Sequence, residues 1–239
     1  VRAVGSNINL DRFYKDVDQT KIINDLVKIS KPDLNKKTLF LWPEGIIPDV
    51  SQNELVNYRY LFENRFNENH LIGLGITNKV INDDLNKFYN SLSVYDNNLN
   101  LKHHYNKNKL VPFGEFLPLE NILSKIGLKV VTNNYQSFSK GYKRDYMNIE
   151  GNGYSLKILP LICYEVIYSG NIFKDSSFDI IVNISEDGWF GNSIGPKQHF
   201  VHSIFRSIES GKYLIRSANN GIAAIINPVG IIEKQVSFG

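Results

Sequence analysis

The chain has 239 residues, 42% hydrophobic, 12% aromatic and 21% charged, which excludes a disulfide miniprotein, a collagen-like chain and a disordered region. A net charge of +3 is too small to argue for nucleic acid, and no apolar run approaches the ~20 residues that span a bilayer. A single cysteine, Cys163, rules out an internal disulfide framework and a Cys-rich zinc site.

In chain order, residues 21–29 place Ile22, Leu26 and Ile29 at helical spacing, with Ile23 and Val27 beside them. Residues 38–42 (TLFLW) read as a buried strand, and 55–66 as a more polar helix. Residues 70–77 and 89–95 read as strands, the second alternating at Leu92 and Val94. The runs 156–163, 179–185, 213–218 and 222–227 are β-branched or apolar and bounded by Gly, Asn or Pro. Between them, 198–210 shows helical spacing at Phe200, Ile204 and Ile208. No repeat, linker or compositional break divides the chain. Interleaved strands and helices predict an α/β fold with helices covering the sheet faces. The abundance of asparagine (29) beside four alanines reads as coding bias, so scattered asparagines are poor functional markers.

Three segments place a reactive side chain just after a strand-like run, where α/β sheets collect catalytic groups. Pro43 must end the first strand, leaving Glu44 beside Trp42 among apolar residues. That setting suits a general base, although a solvated loop glutamate would share the pattern. Residues 105–115 either join the preceding Lys102, His103 and His104 in a basic patch with Lys107 and Lys109, or carry a catalytic cation, Lys107, with Glu115 as its carboxylate partner. Adjacent strand residues face opposite ways, so His103 and His104 cannot jointly hold a metal. Cys163 closes a hydrophobic strand and precedes Tyr164 and Glu165. A lone cysteine is often a small buried hydrophobe, but an adjoining acid suits a nucleophile. No Gly-x-Ser-x-Gly elbow competes. His199 and His202 lack a carboxylate that completes a known ligand pattern, so no metal is expected. The glycines of 187–195 read as a plain turn, not a phosphate loop.

Glu44, Lys107 and Cys163, in that order and each after a strand, resemble the nitrilase or carbon–nitrogen hydrolase superfamily. The runs LWPEG (41–45), YNKNKLVPFGEFLPLE (105–120), ICYE (162–165), DGWFGNSIGPKQH (187–199) and RSIESGKYLIRSANNGIAAIINPVG (206–230) resemble its acyltransferase branch, the apolipoprotein N-acyltransferases. The likeness covers nearly the whole chain, beginning with an opening strand at 1–9. It implies a single nitrilase-like domain, an α-β-β-α four-layer sandwich. It also implies that Glu44 is the general base, Lys107 (not Lys109) the catalytic lysine and Cys163 the nucleophile. Glu115 and Glu165 match two supporting acids, and Tyr164 a residue near the substrate pocket. Trp42 and Trp189 are expected at the substrate. Family members often carry Asn-Asp-Ala where this chain has Glu186-Asp187-Gly188, taken here as a loop variation.

The implied reaction is ping-pong acyl transfer from a phospholipid donor to a diacylglyceryl-modified apolipoprotein, with no metal or cofactor and no nucleic acid. A soluble amidase of the same fold, or an inactive lipid- or protein-binding domain, is the alternative. Residues 117–128 (LPLENILSKIGL) read either as core or as a membrane-contacting arm. The resemblance also makes Val1 and Gly239 cut points in a longer membrane protein, with this domain on the periplasmic side of a bacterial inner membrane.

Overall fold

Alternation along β2 (Thr38–Leu41) sets the layers. Leu39 and Leu41 point into one core, Phe40 and Trp42 into another. The computed structural model describes residues 1–82, 85–118, 137–170, 172 and 175–236. β2 lies in a five-stranded sheet of order β1-β2-β3-β4-β5, with β1 (Arg2–Ala3), β3 (His70–Asn82), β4 (Leu85–Asp96) and β5 (Leu101–Asn106). β1, β2 and β3 run parallel; β4 and β5 are antiparallel additions. The second sheet has order β11-β10-β9-β8-β7-β6. Its strands are β6 (Met147–Gly151), β7 (Tyr154–Ile162), β8 (Ile180–Glu186), β9 (Tyr213–Asn219), β10 (Ala223–Ile226) and β11 (Ile232–Val236). Its centre, β7-β8-β9, is parallel.

The sheets stack through Leu39, Leu41, Leu92 and Val94 on one side and Ile158, Ile162, Val182 and Ile184 on the other. Helix α1 (Gln19–Ser30) covers the first sheet and α2 (Gly195–Ser210) the second, giving the four-layer α-β-β-α order. Asp18 caps α1, accepting from the Thr20 and Lys21 N–H groups at 2.9 and 3.3 Å.

Four expectations shift. The buried stripe of α1 is Ile22, Ile23, Leu26, Val27 and Ser30, and Ile29 is exposed. Ser30 belongs inside because its hydroxyl donates to the Leu26 carbonyl and accepts from the Trp42 indole. The inward face of α2 holds His199, Ser203 and Arg206 beside Phe200, while Ile208 is exposed. The segment expected as a polar helix is a 3₁₀ turn, Leu55–Leu61, because only Leu55 within it is buried and no side chain caps its start. The opening strand is two residues long. The chain then leaves Leu41 for the second sheet, where the Ser6 N–H reaches the Ala218 carbonyl. Of residues 117–128, only 117 and 118 fall within the described residues, and Leu117 is buried. No helix among the described residues is long and apolar enough to cross a membrane.

Candidate active site

Strand phase delivers the polar side chains. On β4, Asn90 continues the inward series of Leu92 and Val94; beyond β5, Lys107 continues the series of Tyr105. Lys107 is buried with its ammonium 3.0 Å from both Glu115 carboxylate oxygens and 3.2 Å from Glu44 Oε1. Burial alone would lower its pKa, but Glu115 and Glu44 raise it well above the ordinary lysine range. Lys107 is therefore a fixed cation. Asn90 Nδ2 donates to Glu44 Oε1 and to Glu115 Oε1, both at 2.7 Å. Asparagine thus separates two carboxylates that share one ammonium.

Glu44 reaches this cluster because the turn after β2 lies against β3. A Cβ at Gly75 would sit 2.4 Å from the Glu44 Cα, so this position admits only glycine. Glu44 Oε2 accepts one bond, 3.0 Å from the Glu186 N–H.

Cys163 starts the 3₁₀ turn Cys163–Ile167 directly after β7. Its φ is +48°, a left-handed backbone that a non-glycine residue keeps only when its surroundings enforce it. Burial raises the thiol pKa well above its usual range, the Glu44 charge adds to this, and Lys107 only partly offsets it. The raised pKa favours the neutral thiol, so a nucleophilic role for it would require a base.

Glu165 fixes this turn against the lysine loop. Fully buried, its Oε1 accepts from Tyr105 Oη (2.7 Å) and from Asn108 N, Lys109 N and Arg144 Nη2 (each 3.0 Å). Its Oε2 accepts from Ile162 N at 2.9 Å. One carboxylate thereby joins the residues flanking Cys163 to those following Lys107.

Glu44, Lys107, Cys163, Glu115 and Tyr164 line a cavity of about 430 Å³. The rest of its wall is largely apolar, with Phe13, Ile47, Ile76, Val111, Phe138 and Phe190. Trp189 lies in that wall, stacked on Phe13 at 5.1 Å between ring centroids. Trp42 does not. It is fully buried under α1, stacked on Phe62 and donating to Ser30, because it is in phase with Phe40 rather than Leu41. Its expected place at the substrate is therefore corrected to the core.

Sequence reasoning missed Asn90, whose signal was its phase with Leu92 and Val94. It also misplaced Glu186 and Asp187. Glu186 ends β8, buried, with its carboxylate on Arg12 and Asn219. Asp187 is buried and ion-paired with Arg216 at 2.8 Å, so the segment is no plain turn. Burial opposes ionisation of Asp187, yet Arg216 and then His199 hold its pKa down at about 2. Among the described residues, no group of three or more His, Cys, Asp or Glu side chains is placed to hold a metal ion.

The family profile for carbon–nitrogen hydrolases matches residues 63–238. The chain is 34% identical over 249 aligned positions to an apolipoprotein N-acyltransferase of Wigglesworthia glossinidia brevipalpis, covering 99% of this chain and 47% of that one. It is 36% identical to the same-named protein of Rickettsia prowazekii, covering 86% and 40%. The chain thus spans about half the length of the curated relatives it matches. Among solved structures it resembles a carbon–nitrogen hydrolase from Helicobacter pylori G27 (TM-score 0.66, 13% identity, 98% of this chain and 85% of that one). It also resembles a superfamily protein from Xanthomonas campestris (TM-score 0.63, 14% identity, 99% and 85%), solved with an arsenic adduct in its active site.

Proposed function

The chain belongs to the carbon–nitrogen hydrolase family, and on that premise we propose that it is the catalytic domain of an apolipoprotein N-acyltransferase. The observation that carries this reading is an apolar cavity leading to a thiol, a carboxylate and a buried ammonium. Such a wall suits a fatty acyl chain better than the small polar amides that a hydrolase of the same fold would take. The names of the matched relatives support it.

In the proposed reaction Glu44 Oε2 takes the Cys163 proton as Sγ attacks the ester carbonyl carbon of a phospholipid. The carbonyl π-electrons move onto oxygen, and the Lys107 ammonium and a backbone N–H of the turn after Cys163 stabilise that oxyanion. Collapse breaks the ester C–O bond. The leaving alkoxide takes the proton from Glu44 and departs as lysophospholipid, leaving a thioester on Cys163. The neutral α-amine of a diacylglyceryl-modified N-terminal cysteine then attacks the thioester. Glu44 takes the amine proton and returns it to the departing thiolate. Glu115 and Asn90 hold Lys107 and Glu44 in register throughout, and Glu165 holds the two loops together. Trp189 and Tyr164 shape the acyl wall. The donor and acceptor both reside in a membrane, so the domain works at the periplasmic face of a bacterial inner membrane, anchored through segments beyond these residues.

Incubating the purified protein with phospholipid vesicles, without an amine acceptor, tests the reading. Intact-mass measurement should show one added fatty-acyl mass that hydroxylamine removes and that Cys163→Ala lacks. No adduct, together with release of ammonia from simple amides, would replace this reading with hydrolysis.

A further inference from the structure

Helix α2 buries polar side chains where an α/β fold ordinarily buries apolar ones. They face the turn that carries Cys163. His199 Nε2 lies 3.1 Å from the Cys163 carbonyl oxygen. A carbonyl only accepts, so Nε2 carries the hydrogen. The other ring nitrogen, Nδ1, lies 2.9 Å from Asp187 Oδ1 and 3.2 Å from Arg216 Nη2. Arg216 pairs with both Asp187 oxygens at 2.9 and 2.8 Å. Ser185 Oγ donates to Asp187 Oδ1 at 2.7 Å. His199 is 3% exposed, and Asp187, Arg216 and Ser185 are fully buried. Further along α2, Arg206 Nη1 donates to the carbonyls of Val166, Ile167 and Tyr168, at the end of the same turn.

We propose that His199, oriented by Asp187 and Arg216, is a positioning residue for Cys163: its Nε2–H holds the nucleophile's carbonyl and keeps Sγ aimed into the cavity. The left-handed backbone at Cys163 needs such support, since nothing in a cysteine side chain favours φ of +48°. The proposal rests on the reading of Cys163 as the nucleophile. The competing explanation is that His199 merely completes a buried polar cluster with Asp187 and Arg216.

The two ring nitrogens separate these explanations. In His199→Gln the amide nitrogen occupies the Nε2 position and can still donate to the Cys163 carbonyl. In His199→Asn the shorter amide reaches only the Nδ1 position and can still satisfy Asp187. The readout is the rate of Cys163 alkylation by iodoacetamide, followed by intact mass on purified protein whose folding is checked by circular dichroism and thermal melting. His199→Gln should stay within about threefold of the parent, and folded His199→Asn should be slower by about tenfold or more. Asn matching or exceeding Gln would overturn the proposal. So would a folded Gln variant that is more than about tenfold slow, or a Gln variant that does not fold, since Gln keeps the one bond invoked. If only Asn fails to fold, Gln against the parent decides. Alkylation needs no acyl donor, so failure of the acyl-transfer reading would leave this result standing.

Discussion

Replacing Glu165 by glutamine changes a single atom type at the most densely bonded carboxylate of the site. Four donors converge on Oε1 and one on Oε2. A glutamine oxygen can keep the four only by turning its NH2 group against the Ile162 N–H. Two donors then face each other in a buried space, and the Arg144 guanidinium loses its counter-charge. Arg144 is 12% exposed at its side chain and Glu165 fully buried, so solvent offers little relief. Breaking one side of a buried ion pair costs about 3–5 kcal/mol. For a chain of this size each kcal/mol lowers the melting midpoint by about 2–4 °C, so Glu165→Gln should melt on the order of 10 °C lower. Because the same carboxylate ties the Cys163 turn to the Lys107 loop, acyl-enzyme formation should fall more than the fraction unfolded explains. The assay pairs urea denaturation with adduct formation at a temperature where the variant is folded. Adding Arg144→Met should recover part of the loss, since it removes the orphaned charge, with a coupling of about 1–3 kcal/mol. A loss under about 1 kcal/mol, or strict additivity with Arg144→Met, would show that Glu165 is not the staple described above.

Lys107→Ala should abolish adduct formation with phospholipid, because Glu44 and Glu115 would face each other across Asn90 without a cation. Lys109→Ala should leave most of it, since Lys109 meets Glu165 through its backbone N–H while its ammonium lies over the Tyr168 ring; the reverse result in the mass assay would displace the proposed catalytic role by two residues. Glu44→Gln should move the pH midpoint of Cys163 alkylation downward while abolishing acyl transfer. Burial of the thiol is untouched, but the next largest influence raising its pKa is removed. An unchanged or higher midpoint in a pH–rate series counts against the geometry. Asp187 has its pKa lowered from 3.8 to about 2 in the fold. Its contribution to stability is therefore present above about pH 4 and lost as pH falls toward about 2. Asp187→Asn should flatten that acid limb of a stability–pH curve, and an unaltered limb would show that the Arg216 pair does not supply it.

Position after a strand leaves Glu44, Lys107 and Cys163 beside blander readings, a solvated loop glutamate, a basic patch and a small buried hydrophobe, and it is the resemblance to the carbon–nitrogen hydrolases that singles them out. Interleaved strands and helices predict sheets covered by helices, whereas the four-layer order is what the resemblance implies. What escaped the sequence depends on phase rather than composition. Asn90 sits among 29 asparagines, and only its register with Leu92 and Val94 sets it apart. Trp42 looks adjacent to Glu44 along the chain, yet strand alternation turns it away from the site. The inward face of α2 was misjudged because helical spacing of apolar residues is a poor guide when a helix buries histidine and arginine. Asp187 lay in a stretch whose glycines suggested a turn, and its Arg216 partner is 29 positions distant. Burial of that pair is a property of the sheet, not of either local segment.

The unequal treatment of the two Glu44 oxygens has a kinetic consequence. Oε1 is occupied by Asn90 and Lys107, while Oε2 has the single Glu186 N–H. Under the proposed reaction every proton, whether from sulfur or from the incoming amine, must land on the same atom from the same side. The departing lysophospholipid and the arriving amine must therefore take turns at one station. Lysophospholipid should compete with the amine for the acyl-enzyme, and each substrate in excess should hinder the other, the pattern of an enzyme with a single revolving door.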